Sequence, residues 1–274
     1  MDLLTFGVPS DDVPVIERLA SVAVDLSRYQ LEPAFGASRV ASPPALTPLL
    51  KGFGSAYLGL WRHPVVPGRT LSYVEYVWET SRAREIARTA EQLVAWIFVH
   101  VLETVDDRQT DPRWSELEQE AAALGLADLA QFYDATLEGT DALLALPMFK
   151  TRPPRDATSG PRADYDGEFP RADDPSSAAS AAGCEVPVDA SPDWLAAARA
   201  VAPWLGPGSP VSVFSDRLAA DDPAGSWLAL NSPGWPTEPV EHALERLTEA
   251  SESEGLRLLA DDWQASTDRR TGGY

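Results

Sequence analysis

Few side chains in this sequence are suited to chemistry near neutral pH: His63, His100, His242 and a single cysteine, Cys184. His100 with Glu103, and His242 with Glu245, stand three residues apart, a spacing that would place each pair on one helical face and suit co-ligation of a metal. A carboxylate-bridged centre needs further acids facing the same core. The apolar run around His100 carries few, so no metal and no cofactor is expected. Cys184 has no histidine near it in sequence, which argues against a nucleophile. No GxSxG elbow, GxxxxGK loop or HExxH pair occurs, and Gly52-x-Gly54 precedes a strand, not a helix. Asp164-Tyr165-Asp166-Gly167 has its acids misplaced for a calcium loop. One enzymatic or small-ligand constellation stays open. Arg62 and His63 end one expected strand, and Glu75 lies on its partner.

Charge points elsewhere. Forty-two acids against 22 bases give a net charge of −20. That balance disfavours nucleic acid and anionic membranes and favours a basic protein partner, or solubility alone. Asp106, Asp107 and Asp111 fall in a polar turn, followed by Glu116 and Glu120 on an expected helix and by Trp114 as a possible aromatic anchor. These six are the candidate partner-binding residues. Only Lys51 and Lys150 are lysines, and with abundant alanine and proline this suits a GC-rich bacterial genome. One cysteine excludes an intrachain disulfide, and the first residues lack a signal-peptide pattern, so a cytoplasmic protein is expected.

The elements that must position these residues centre on 52–103. Gly52 and Gly54 open it, Ala56–Trp61 reads as a strand, and Pro67-Gly68 supplies the fixed φ and the positive φ of a type II turn. Leu71–Trp78 reads as a second strand with apolar residues on both faces, covered on both sides and placed centrally. Ser81 is expected to cap a buried helix carrying Ile86, Ala90, Leu93, Ile97 and Val101. Its ten-residue apolar run falls well short of the about 20 residues of a membrane span. Before this unit a helix follows Asp12 up to about Tyr29, then a loop over 33–48. After it, Ser115 opens a helix ended by Gly125, a helical stretch runs on to Leu137, and Asp141–Leu146 adds a short helix. Residues 151–190 are rich in Pro, Ala, Ser and Asp and read as a mobile linker. Beyond it, helices are expected over Pro192–Trp204 and from Thr237 to a break at Gly255. Strands are expected at Val211–Phe214, Trp227–Leu230 and Leu256–Leu259, with Thr267–Tyr274 fraying. The fold class is α+β, an antiparallel sheet packed against several helices. The expected division is a domain over 1–150, a linker over 151–190, and a small domain or sheet extension over 191–274.

The order glycine turn, aromatic strand, Pro-Gly turn, second strand and closing helix resembles that of bacterial immunity proteins of the SUKH type. Gly52, Gly54, Tyr57–Trp61 and Ile86–Leu102 carry the resemblance, over about a fifth of the chain. The acidic residue of that family after the first strand is absent, since Trp61-Arg62-His63 stands there. The resemblance implies an α+β protein that neutralises a cognate toxin by covering its surface, without catalysis. The alternative is an enzyme or small-ligand binder using His63, Arg62 and Glu75.

Overall fold

Successive side chains along Ala56–Trp61 and Ser72–Val77 point to opposite faces, and both faces are buried. A computed structural model describes residues 3–4, 8–22, 31–34, 40–52, 54–139, 142, 144–156, 165–268 and 273–274. It arranges five strands, β1 (Leu31–Pro33), β2 (Leu46–Gly52), β3 (Ala56–Trp61), β4 (Ser72–Val77) and β5 (Arg82–Ala87), as an antiparallel meander in chain order. The β3–β4 turn is as expected. Arg69 N–H donates to the Val66 carbonyl at 3.3 Å, and Gly68 holds φ +79°. The second expected strand is internal, between β3 and β5.

Helices cover both faces, giving the α+β architecture. On one face Leu58, Leu60, Tyr73 and Ile86 meet α1 (Val13–Val22), α2 (Ala90–Leu102), α3 (Trp114–Ala123), α4 (Leu129–Glu138) and the single turn α5 (Pro147–Lys150). On the other, Tyr57, Trp61, Val74 and Tyr76 meet α6 (Pro192–Val201), α7 (Pro210–Ala219), α8 (Pro223–Leu230), α9 (Thr237–Ala250) and α10 (Glu254–Ser266). Large indoles fill this second core, and their N–H groups find acceptors: Trp204 on Ala181, Trp235 on Ala229 and Trp263 on Ser42, all backbone carbonyls. Among the described residues, no helix is long and apolar enough to cross a membrane.

Several expectations need correction. Residues 82–87 form strand β5, not the first turn of the long helix. Ser81 takes φ +52° and reverses the chain, Arg84 pairs across to Glu75, and the helix begins only at Ala90, where the Thr89 hydroxyl accepts from Gln92 N–H. Helix α3 starts at Trp114, so Ser115 lies inside it. Gly125 does end it, with φ +86° and Leu126 N–H returning to the Ala121 carbonyl. Val211–Phe214, Trp227–Leu230 and Leu256–Leu259 are helical, not strands. Four-residue apolar runs suit either structure, and Pro210 and Pro223 at the first helical positions decide for helix. Gly255 lies inside α10; the break falls at 251–253. The C-terminal helices therefore add a layer to the existing sheet and contribute no strand among the described residues.

The stretch read as a linker is packed over its described part. Tyr165, Phe169, Ala178, Cys184 and Glu185 are buried, because two aromatics and a run of small residues suffice to fit against the second core. Tyr274 is likewise buried, its backbone paired with Trp235, contrary to the frayed end expected. The expected end of the first helix near Tyr29, much of the loop at 35–39, part of the 141–146 helix and residues 157–164 lie outside the described residues.

Candidate functional site

Trp61, the last residue of β3, and His63 just beyond it enter the second core, where the 3₁₀ turn Gly183–Glu185 delivers a carboxylate. Glu185 Oε1 accepts from Trp61 Nε1 at 2.5 Å, His63 Nε2 at 2.8 Å and Arg69 Nη2 at 2.5 Å, while Oε2 accepts from Ala182 N–H at 2.9 Å. The far ring nitrogen of His63, Nδ1, meets Trp227 Nε1 at 3.1 Å. An indole N–H can only donate, so Nδ1 is the acceptor and the imidazole proton sits on Nε2, facing Glu185. Burial pushes the His63 pKa down, and Arg69 adds to this against the pull of Glu185. The histidine is therefore neutral, and the ionic partner of Glu185 is Arg69. Burial alone would raise the Glu185 carboxyl, but Arg69, His63 and Trp61 outweigh it and hold the group down at about 2.

This cluster is closed. The His63 and Glu185 side chains have no exposed surface, and what they join is the end of β3, the β3–β4 turn through Arg69, and α8 through Trp227. The expected trio of Arg62, His63 and Glu75 is not assembled. Glu75 alternates with Val74 and Tyr76, so it lies on the opposite sheet face, where Arg84 Nε donates to it at 2.9 Å. Arg62 is buried beside Asp262; burial lowers its pKa to about 10, against the pull of that carboxylate.

Compared with protein-family models, curated proteins and solved structures, the chain finds no match.

The acidic candidates divide in two. Asp106, Asp107 and Asp111 come together around a concavity of about 270 Å³ that Thr110, Pro112 and Arg113 complete. Asp106 and Asp107 are exposed. Asp111 is tied inward, accepting from Arg113 N–H at 2.8 Å and Nε at 2.9 Å, and these bonds hold its carboxyl down at about 2. Trp114 is half-buried, its ring edge-on to Tyr133 at 5.5 Å, so it anchors α3 to α4. Glu116 is exposed and Glu120 half-buried along α3. His100 Nδ1 lies 3.2 Å from Glu103, and its ring stands edge-on to Trp96. Among the described residues no three His, Cys, Asp or Glu side chains converge as a metal site would require.

Sequence reasoning missed two buried carboxylates. Glu185 lies in the stretch read as linker, 122 residues from His63. Glu85 lies on β5, in the stretch after Ser81 that the sequence suggests is helical. Its Oε2 accepts from Arg155 N–H at 3.0 Å, and its backbone pairs with that of Asp156. Burial raises its pKa to about 7, only partly offset by the Arg155 N–H, Arg88 and Tyr165. Tyr165 and Phe169, aromatics in a stretch otherwise short of large apolar side chains, were the signal that this segment packs.

Proposed function

We propose that the protein works by binding a basic protein partner, without catalysis, through the acidic surface formed by the loop after α2 and by α3. One observation carries this reading. Between Glu103 and Glu138 stand ten carboxylates and two arginines, and both arginines are already paired internally, Arg108 with Asp134 and Arg113 with Asp111. Asp106, Asp107 and Glu118 are exposed, and the ion pairs of both nearby arginines go to other carboxylates. Such a field accelerates encounter with a cationic surface and favours it over neutral partners. The resemblance to SUKH-type immunity proteins supplies the class of partner: a toxin whose basic substrate groove this surface would cover.

The test is binding kinetics against a basic toxin domain encoded beside this chain's gene, at low and at physiological salt. Asp106→Lys with Glu118→Lys should slow association by about tenfold at low salt and leave thermal stability unchanged, since both side chains are exposed and hold no part of the loop. Asp111→Asn serves as the contrasting variant, because its carboxylate holds the loop through Arg113. Association that ignores both salt and the double reversal would reject this surface.

A further inference from the structure

Glu85 lies on the outer strand β5, across from Val74, and turns its side chain toward the second core. It fastens a stretch of passing chain. Its Oε2 accepts from Arg155 N–H at 3.0 Å, its carbonyl accepts from Asp156 N–H at 3.0 Å, and its own N–H donates to Asp156 Oδ2 at 3.2 Å. The other carboxyl oxygen, Oε1, is buried and has no hydrogen-bond partner among the described residues. A neutral carboxyl tolerates this better than a carboxylate, whose charge then lies in a dry interior short of donors.

The titratable and charged groups around it come from each element packed there. Arg88 follows β5, Arg155 and Asp156 follow α5, Tyr165 and Asp166 come from the stretch beyond, and the turn Gly183–Glu185 brings Cys184 and Glu185. Residues 165–170 form a strap with no helix or strand of its own. Among the described residues its polar ties run from Arg88 to Asp166, Arg69 to the Glu168 carbonyl at 2.7 Å, Thr70 Oγ1 to the Glu168 carboxylate at 3.1 Å, and Arg155 to the Pro170 carbonyl at 2.9 Å. Two of these three arginines, Arg88 and Arg155, are the guanidiniums beside Glu85. The Asp166 side chain is largely exposed, so water can replace Arg88 on it.

We propose that Glu85 is a proton-controlled latch on this strap. Protonated, it leaves Arg88 on Asp166 and Arg155 on Pro170, and the strap stays down. Ionised, it draws their N–H donors to Oε1, and the strap lifts from β5 while the sheet and helices stay folded. Charge-assisted bonds to a buried carboxylate outweigh those to a carbonyl or a hydrated aspartate. Lifting uncovers Phe169, now buried beside the Arg69 and Arg155 guanidiniums, which lie 5.3 and 5.0 Å from its ring centroid. Burial raises the Glu85 pKa from 4.5 to about 7 with the strap down. Lifting restores the ordinary value or less, so closure is fully favoured below about pH 4.5 and is lost as the pH rises through 7. Opening should then grow about tenfold from pH 6 to pH 8. The latch uses no residue of the acidic loop and rests on nothing proposed for it.

The test is amide hydrogen exchange of the full chain at pH 6 and pH 8, corrected for intrinsic exchange rates. The reporter is the Phe169 N–H, which donates to the Tyr165 hydroxyl at 2.9 Å while the strap is down. Its protection should lie below that of Ile97 and Phe98 in α2, which marks local opening, and fall about tenfold between the two pH values. Glu85→Gln keeps an acceptor for Arg155 N–H but cannot ionise, and should abolish the fall. Asp166→Asn alters an exposed side chain and serves if Glu85→Gln does not fold. It releases Arg88 to Glu85 with the strap still down, so the fall should shrink to about twofold or less. A Phe169 amide as protected as those of Ile97 and Phe98, no fall in the parent, or an undiminished fall in either variant would each overturn the proposal.

Discussion

Glu85 and Glu185 are both fully buried, and Arg155 lies between them. Its backbone N–H donates to Glu85 Oε2, and its guanidinium donates to the backbone carbonyl of Glu185 at 2.9 Å. Burial penalises the two carboxylates alike, yet one is held near 2 and the other rises to about 7. The difference lies in the donors. Glu185 receives a guanidinium, an imidazole N–H, an indole N–H and a backbone N–H. Around Glu85 the nearby cations are engaged elsewhere, Arg88 with Asp166 and Arg155 with Asp156. A buried carboxylate is thus ionised or not according to how many N–H groups converge on it, and proximity of an arginine is insufficient.

Breaking the well-supplied site should have the largest effect. Glu185→Ala would leave Arg69 buried without its carboxylate and should cost about 3–5 kcal/mol, read from denaturant unfolding. Because its pKa is depressed in the folded chain, the contribution of Glu185 is fully present above about pH 4.5 and is lost as the pH falls toward 2. An unfolding free energy within 1 kcal/mol of the parent's at pH 7 would remove this cluster from any role in holding the layers together.

Glu85 has the opposite sign. Its folded pKa is raised, so the stability linked to it is fully present below about pH 4.5 and is lost as the pH rises through 7. Glu85→Gln should therefore flatten that loss and make the variant more stable than the parent at pH 8, by up to about 3 kcal/mol. Parallel pH–stability curves for parent and variant would show that Glu85 is not the group responsible.

Trp227→Phe should have the smallest effect, roughly 1 kcal/mol, through loss of the hydrogen bond to His63 Nδ1. Its informative readout is the imidazole ¹⁵N spectrum. The parent should show a single tautomer protonated on Nε2, and the variant should lose that exclusivity. A parent imidazole protonated on both nitrogens at pH 7 would contradict the assignment of Trp227 as donor.

The β3–β4 hairpin was legible because two independent signals coincide there, the Pro67-Gly68 turn and the alternation through Val74 and Tyr76. β5 was hidden because Ile86 satisfies both the helical and the strand period, so the stripe of α2 could be extended backwards over it. α7 and α8 were hidden by their shortest apolar runs, although Pro210 and Pro223 marked their starts. His63 stood out as a rare residue, but its partners Glu185 and Trp227 are set by tertiary packing that no local pattern encodes.

The ties between the sheet and the second helical layer join residues far apart in the chain: 122 positions for His63 with Glu185, 164 for His63 with Trp227, 186 for Ala45 with Asn231 and 221 for Ser42 with Trp263. The meander and α2 close over short loops instead. Since long-loop contacts carry the larger closure entropy, the sheet with its first helical layer is expected to condense early and the C-terminal helices to dock afterwards. On that order the buried ion cluster would form after the folding transition state. Weakening it should then speed unfolding and leave the rate of folding almost untouched.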